Sequence, residues 1–491
     1  MIFYYIHMNN LIYISIFLFS FIQNSFTQNT SWEFINHSNR CDLLYDIVLD
    51  SDGNYNALVE SYDDLHFYDS SEYAQIKIMK IDPYGKKITE KILISSQYNY
   101  YAKNIFRVKD NYFITSFHYS KPVFYNMDFI LLKCDLNFNI VDSFSLNYPE
   151  FAIPNSYSQL INDTLIVMLT LDHQDKKTSA TEYVMINSNG DLIKTTRQRE
   201  RTQGIGPHTI SSSLDNSKYM AFGDNLYILD RNLNVLSIDS FISDPPRYYI
   251  STNSTTLLKW SEKKYLMASI SWEFTADLHL WFIDKNFKAI KSVLDRNDTT
   301  DDFCAWNGSI AYFNRNSIYT AGTSGTSLFP FDSSAIFITK LDSNLNVKWK
   351  KVFALDNYYS LFKILPTADD GCLVGGWFST ITPHVYPKYE AYLLKVDADG
   401  NVTSTGDEKH INWEAMIYPN PSPGSFKFDV IDDSGSDYRV DIIDLQGKTV
   451  FSSQNQSNHN SINLNFLPSG MYTYSLYREK VLISSGKWIK E

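Results

Sequence analysis

The sequence predicts an all-β protein, a seven-bladed β-propeller followed by a small C-terminal Ig-like β-sandwich. Three observations predict it. Aromatic residues make up 15% of the chain, with 35 Tyr and 32 Phe, a composition suited to pleated, half-buried strands. A unit of apolar strand, Asp, Asn- or Gly-rich turn and second strand recurs seven times. The last 75 residues abandon that unit for short alternating strands joined by Pro, Gly and Asn turns.

The N-terminus reads as a signal peptide over residues 1–27. Leu11 to Ile22, LIYISIFLFSFI, is too short to span a bilayer and the right length for a signal-peptide core. Ser25-Phe26-Thr27 is a small-x-small pattern that places cleavage before Gln28. No Lys or Arg precedes the apolar core, and a start at Met8 would give a more usual length. The competing reading is an uncleaved anchor helix. A signal peptide makes the Sec translocon the first partner. It also puts Cys41, Cys134, Cys304 and Cys372 where they could oxidise. None lies in a CxxC pair, so two bridges and four buried thiols stay equally open.

The repeat copies run from Ile76, Phe129, Tyr183, Leu226, Leu280, Ile336 and Tyr392. Each has an anchor: Asp82, Asp135, Asn187, Asp230, Asp284, Asp342 and Asp397, spaced 43 to 58 residues apart. Asp and Asn side chains bond to backbone two residues on and so start tight turns. Six copies carry Asn or Asp two positions after the anchor, at Asn137, Asn189, Asn232, Asn286, Asn344 and Asp399. The first departs, with Pro83-Tyr84-Gly85. A second hairpin precedes each of these, with turns near Ser51, Lys109, Asn162, Asp215, Glu262, Asn314 and Ala368. Two hairpins per unit give four strands, the blade of a propeller. A linear solenoid is disfavoured because its units are usually shorter. The ring is expected over 43–405, with the stretch near Ile35 to Leu49 completing the last blade. The pattern resembles the loose propeller repeats of exported bacterial proteins.

A linker is expected over 406–416 and a separate domain over 417–491. Pro419 and Pro421 fix φ and cannot donate to a ladder, so they mark the boundary. The tail carries Tyr418-Pro419-Asn420-Pro421 with Gly424, then Asp444 with Gly447-Lys448. Leu467-Pro468-Ser469-Gly470-Met471-Tyr472 and the terminal Gly486-Lys487 follow. These blocks, in this order, resemble the type A C-terminal sorting domain of the type IX secretion system, which belongs to Bacteroidota. The resemblance implies that Tyr418, Pro419, Asn420, Pro421, Gly424, Asp444, Gly447, Lys448, Leu467, Pro468, Gly470, Tyr472, Gly486 and Lys487 form a sorting signal read by that machinery. It implies a secreted or outer-surface location, and nothing about what the ring does.

Residues with obvious chemistry are scarce. The formal charge of −12 argues against a nucleic-acid partner, which requires a basic face. Mean hydropathy of −0.26 argues against a multi-span membrane protein. No HExxH occurs among the ten His, and Gly322-Thr323-Ser324-Gly325 is not a nucleophile elbow. Asp50 to Asn54 and Asp397 to Asn401 faintly resemble calcium loops, but their Gly falls too early for one. Hairpin turns are the better reading. Asp295, Asp298, Asp301 and Asp302 read as a solvated acidic loop, with a surface calcium site as the alternative. The Asn-x-Ser/Thr sequences, Asn36 and Asn307 among them, follow from Asn-rich turns. Trp260, Trp272, Trp281, Trp306, Trp349 and Trp377 fall in or beside blades, where core packing competes with sugar stacking.

We therefore expect no catalytic, cofactor-binding or metal-binding residues. The expected function is non-catalytic binding of a glycan, a protein or a surface component. The alternative is a secreted polysaccharide lyase or hydrolase with its site in the propeller funnel. The fold does not decide between them, and side chains lining the channel would.

Overall fold

The computed structural model describes residues 31–491 except 63–73, 95–98, 120–127, 149–150, 174–177, 199–200, 203–208, 223–224, 240–248, 273–275, 296–300, 326–333, 354–356, 380–387, 403–414, 431–437, 445–447, 457–460 and 479–480. The expected signal peptide lies outside the described residues. The chain divides into two compact units, 1–406 and 407–491.

The first unit is a propeller of seven antiparallel sheets. Blade 1 comprises Cys41–Leu49, Tyr55–Tyr62, Gln75–Ile81 and Lys87–Ile94. Blade 2 comprises Asn99–Val108, Asn111–Tyr119, Asp128–Cys134 and Ile140–Leu146. Blade 3 comprises Phe151–Ile161, Thr164–His173, Thr178–Ile186 and Leu192–Arg197, with Arg201–Thr202 added. Blade 4 comprises Thr209–Ser212, Tyr219–Phe222, Leu226–Leu229 and Val235–Asp239. Blade 5 comprises Tyr249–Lys259, Lys264–Trp272, Ala276–Asp284 and Ala289–Asp295. Blade 6 has a broken inner strand, Asp302–Cys304 and Ile310–Asn314, then Ser317–Ser324, Ala335–Leu341 and Val347–Phe353. Blade 7 comprises Tyr358–Pro366, Cys372–Ser379 and Tyr389–Val396.

The fourth strand of blade 7 is Trp32–Ile35, antiparallel to Tyr389–Val396. This corrects the stretch expected to complete the ring. Only Ile35 of it does so, and Cys41–Leu49 is the inner strand of blade 1. The ring thus closes by pairing chain-distant strands in one blade, which leaves no open end to the array.

The middle strands of each blade are buried on both faces because each face meets a neighbouring blade. Ile76 and Ile78 pack towards blade 2, while Met79 and Ile81 pack towards blade 7. Seven apolar clusters fill the seven interfaces between blades, including that between blades 7 and 1. The four Cys are free and buried. Burial raises the Cys134 thiol to about 12 and lifts Cys304 and Cys372 further.

All seven anchors make one turn. The anchor Oδ1 accepts the amides two and four residues on, as in Asp135 with Asn137 N and Asn139 N at 2.9 and 2.8 Å. Asp82, Asn187, Asp230, Asp284, Asp342 and Asp397 repeat the pattern. Asp50 makes the same turn, and its other oxygen takes Lys80 at 2.8 Å. Both faint calcium loops are therefore hairpin turns whose Asp is engaged.

The residue three after each anchor has positive φ: Gly85, Phe138, Gly190, Leu233, Phe287, Leu345 and Gly400. A bulky residue there is conformationally costly, so packing must offset it. Phe138 stacks on Tyr112 at 4.5 Å and Phe287 on Tyr265 at 5.5 Å, each at the interface with the preceding blade. Where the position is Gly, the preceding blade fills the space. Trp32 covers Gly85, Lys133 and Phe113 cover Gly190, and Trp349 covers Gly400. This explains the deviant first turn, because Pro83-Tyr84-Gly85 also gives Trp32 Nε1 the Pro83 carbonyl at 2.9 Å.

A Cβ at Gly85 would lie 2.6 Å from Trp32 Cδ2, whereas one at Gly53, φ +83°, would meet only Pro83 Cγ at 3.7 Å. Gly85→Ala is therefore expected to cost about 2–4 kcal/mol and Gly53→Ala about 1–2 kcal/mol. Chemical denaturation of the two variants measures the difference, and equal losses would remove Trp32 from the account.

The second unit is a two-sheet sandwich. One sheet orders Ala415–Tyr418, Ser425–Val430 and Ser461–Asn463. The other orders Thr449–Gln456, Tyr438–Ile443, Gly470–Arg478 and Val481–Lys490. Phe426, Phe428 and Ile462 meet Val440, Ile442, Leu476 and Trp488 in a core made wholly within this unit.

Candidate functional site

The inner strands of the blades converge on the ring axis. The inner strands of blades 1, 2 and 7 each carry a one-residue bulge, between Leu44 and Asp46, Ala102 and Asn104, and Leu361 and Lys363; those of blades 3, 5 and 6 have register shifts of their own. A bulge leaves one residue out of the ladder and re-aims it. The residues so released are Tyr45, Lys103 and Phe362.

Blade 6 supplies what they receive. Between its two inner pieces, residues 306–308 leave the sheet and run along blade 7, while Ala305 N and Ser309 O stay bonded to Ala321. Trp306 N donates to Leu361 O at 3.1 Å and Asn307 N to Phe362 O at 2.7 Å. Ile364 N donates to Gly308 O at 3.1 Å. Asn307 Nδ2 then donates to Tyr45 O at 2.8 Å and Lys103 O at 3.3 Å. One side chain from blade 6 thus bonds blades 1 and 2 across the axis. Ser309 N adds a bond to Thr256 Oγ1 of blade 5 at 3.1 Å.

Asp46 sits beside this bridge, fully buried. Its Oδ1 meets Lys363 Nζ at 3.1 Å and Ile47 N at 2.9 Å. Its Oδ2 takes Asn104 Nδ2 at 3.2 Å and Ile105 N at 3.1 Å. Both oxygens are occupied, so this carboxylate holds blades 7, 1 and 2 together.

Glu60 is different. It is also fully buried, and its Oε2 accepts Ala102 N at 3.2 Å. Its Oε1 has no hydrogen-bond partner among the described residues. Burial pushes its carboxyl up to about 8, against the pull of Lys103. Burial also lowers Lys103, which Glu60 partly offsets. The Tyr45 hydroxyl is held well above its usual range by burial first and then by Glu60, Tyr62 and Tyr101. This places all five groups in one neighbourhood, towards the end of the ring opposite the tight turns.

The upward shift of Glu60 makes the fold weaken as pH rises. Folded Glu60 keeps its proton between about pH 4.3, the usual unfolded value, and about 8. Its contribution to stability is fully present below that window and declines as pH rises through it, at up to about 1.4 kcal/mol per pH unit. Glu60→Gln should flatten the decline in melting temperature between pH 6 and 8. An unchanged slope would assign the proton elsewhere.

Partly exposed rings surround these groups. Tyr45 meets Phe362 edge-on at 4.9 Å. Trp306 is 38% exposed and its Nε1 donates to Ser360 Oγ at 3.3 Å. Trp377 packs between Tyr358 and Tyr389. By contrast, Trp260 and Trp281 are core residues, and Trp349 donates to Ala398 O at 3.0 Å.

The acidic group before blade 6 is not a solvated loop throughout. Asp302 is fully buried on the inner strand, and Asp301 Oδ1 accepts Ala276 N at 2.8 Å. Asp298 lies outside the described residues. Among the described residues no three His, Cys, Asp or Glu cluster as metal ligands. Asn36 and Asn307 are committed to internal hydrogen bonds, so neither is an accessible glycan acceptor.

In the tail, three motif blocks meet. Asn420 Nδ2 donates to Lys487 O at 2.6 Å and its Oδ1 accepts Ile489 N at 2.9 Å. Trp488 Nε1 donates to Ser422 Oγ at 2.8 Å. A Cβ at Gly424, φ +131°, would lie 2.2 Å from Asn465 Oδ1. Lys490 Nζ reaches the carbonyls of Asn465 and Leu467, Gly470 pairs with Lys490, and Tyr472 Oη donates to Pro468 O at 2.8 Å. Asp444 and Lys448 make a separate turn of the anchor type, with Gly447 outside the described residues. Tyr418 pairs with Lys427, and Gly486 with Tyr474. Pro421 follows a cis peptide bond.

Residues 416–491 match the secretion system C-terminal sorting domain. The chain is a type IX secretion substrate, exported to the cell surface or the medium, and its tail interacts with that machinery. No curated protein matches the chain in sequence. Among solved structures it is similar to cobalt-substituted apocarotenoid oxygenase of Synechocystis. The identity is 8% and the TM-score 0.41, over 77% of this chain and 92% of that one. It is also similar to Penicillium chrysogenum alpha-L-arabinanase complexed with arabinobiose, at 9% identity and TM-score 0.39, over 75% of this chain and 99% of that one.

Proposed function

We propose that the ring is a non-catalytic binding module that presents a glycan-binding mouth outside the cell, reached through the Sec translocon by a signal peptide and then through type IX export. The observation that carries this is the axis itself. Asn307 bridges it, and Asp46 and Lys363 are engaged with each other, while Tyr45, Phe362 and Trp306 keep ring area partly open beside them. Aromatic faces suit sugar faces, since each offers apolar area with a polar edge. The sorting signal of this reading is the set of tail motifs, in a Bacteroidota-type chain.

Titration of the purified full chain with a panel of soluble oligosaccharides tests it. Binding that weakens in Tyr45→Ala and Trp306→Ala, with melting retained, supports the reading. No binding across the panel would overturn it. Glu60 favours a second reading, a polysaccharide lyase or hydrolase with Glu60 as the acid, since a carboxyl near 8 is protonated at neutral pH. Turnover lost in Glu60→Gln with the fold intact would establish that instead.

A further inference from the structure

We infer that the mouth beside Asn307 takes a saccharide bearing an acidic group, with the anion met by Lys103 and the sugar face by Tyr45, Phe362 and Trp306. This deepens the binding reading above and rests on it. The charges beside Asn307 are unequally paired. Asp46 is balanced by Lys363 and its four acceptor positions are filled. Lys103 has no acid within salt-bridge distance among the described residues; its ammonium lies 5.6 Å over the Phe117 ring. The neighbouring acid is Glu60, which is held neutral by burial. Beside Asn307, Lys363 is balanced by Asp46, while Lys103 is left without an ionised partner at salt-bridge distance among the described residues.

Glu60 adds the second observation. Its Oε1 is fully buried and unpartnered, a costly state for a polar atom. In its protonated form it is a donor, and an incoming carboxylate or sulfate oxygen is an acceptor. A desolvated ammonium beside a buried neutral acid matches an anion better than it matches a hydroxyl-only sugar. The chain's net charge of −12 opposes a polyanion at long range, so recognition must be made at the axis itself.

The test uses the intact chain and three probes of equal length. These are an oligogalacturonate, a chondroitin sulfate oligosaccharide and a neutral manno-oligosaccharide, each followed by calorimetry. Acidic probes are expected to bind and the neutral one to bind at least about ten-fold more weakly. Lys103→Met should remove the preference and Lys103→Arg should keep it, which separates a lost charge from a lost fold. The two acidic arms tell carboxylate from sulfate recognition, and either one supports the inference. Equal binding of the neutral probe, unaffected by Lys103→Met, would overturn it while leaving the glycan reading intact. Binding of none would remove both.

Discussion

Asp42→Ala is expected to open the ring at its seam, at a cost of about 3–5 kcal/mol. The segment from Asn36 to Arg40 joins the closing strand of blade 7 to the inner strand of blade 1, and Asp42 gathers it in. Its carboxylate accepts Asn36 Nδ2 at 2.6 Å, Ser38 Oγ at 2.8 Å and Ser61 Oγ at 2.6 Å. It also meets Lys77 Nζ at 2.8 Å, with side-chain exposures of 0% and 3%. Removing the acid leaves a nearly buried ammonium with only the more distant Glu90 at 3.4 Å. That uncompensated charge is the largest part of the loss. Denaturant titration of the full chain measures it, with protease resistance of residues 31–40 as a local readout. The double variant Asp42→Leu, Lys77→Met should recover part of the loss, because no charge then remains buried. A single variant within 1 kcal/mol of the parent would mean the seam is held by Trp32 and the strand pairing alone.

The turns of this ring were legible because they are local. An Asx turn is complete within five residues, so the anchor and the residue two after it announce themselves in the sequence. The position three after the anchor carried as strong a signal, always Gly, Phe or Leu, and it encodes how adjacent blades meet. The axis was not legible. Asp46, Glu60, Lys103, Asn307 and Lys363 come from four blades, and Asn307 bonds a carbonyl 262 positions away. β-Bulges leave no residue-type mark in strands this apolar, so nothing in the sequence distinguished Tyr45, Lys103 and Phe362 from ladder residues. The closing strand was misplaced because Trp32 lies outside the repeat. Its trace was the irregular turn at Pro83, which made sense only once Trp32 was seen against Gly85. In the tail, the motif residues could be named but not their work. Asn420 and Gly424, together with Lys490 outside the named motif residues, turn out to fasten the first turn of the sandwich to its last strand.

Removing residues 407–491 should abolish export while leaving the ring folded. Two facts make the effects separable. Among the described residues, the tail core runs from Phe426 to Trp488 and draws none from the ring, and the seven ring interfaces draw none from the tail. The blade that closes the ring ends its third strand at Val396, and its anchor turn is complete at Asn401, before the cut. The truncated chain should therefore melt within about 1 kcal/mol of the ring transition in the full chain. Its export should fall to background, because the segment read by the secretion machinery is gone. Fractionating cells that express either chain, with melting curves on the purified proteins, measures both quantities. A milder lesion sharpens the assignment. Asn420→Ala removes the two bonds to Lys487 O and Ile489 N, and is expected to destabilise the sandwich by about 1–3 kcal/mol. If export fails in that variant only when the sandwich has melted, Asn420 serves the fold of the signal. If export fails with the sandwich still folded, the machinery reads Asn420 itself. Normal export of the truncated chain would sever the tail from sorting altogether.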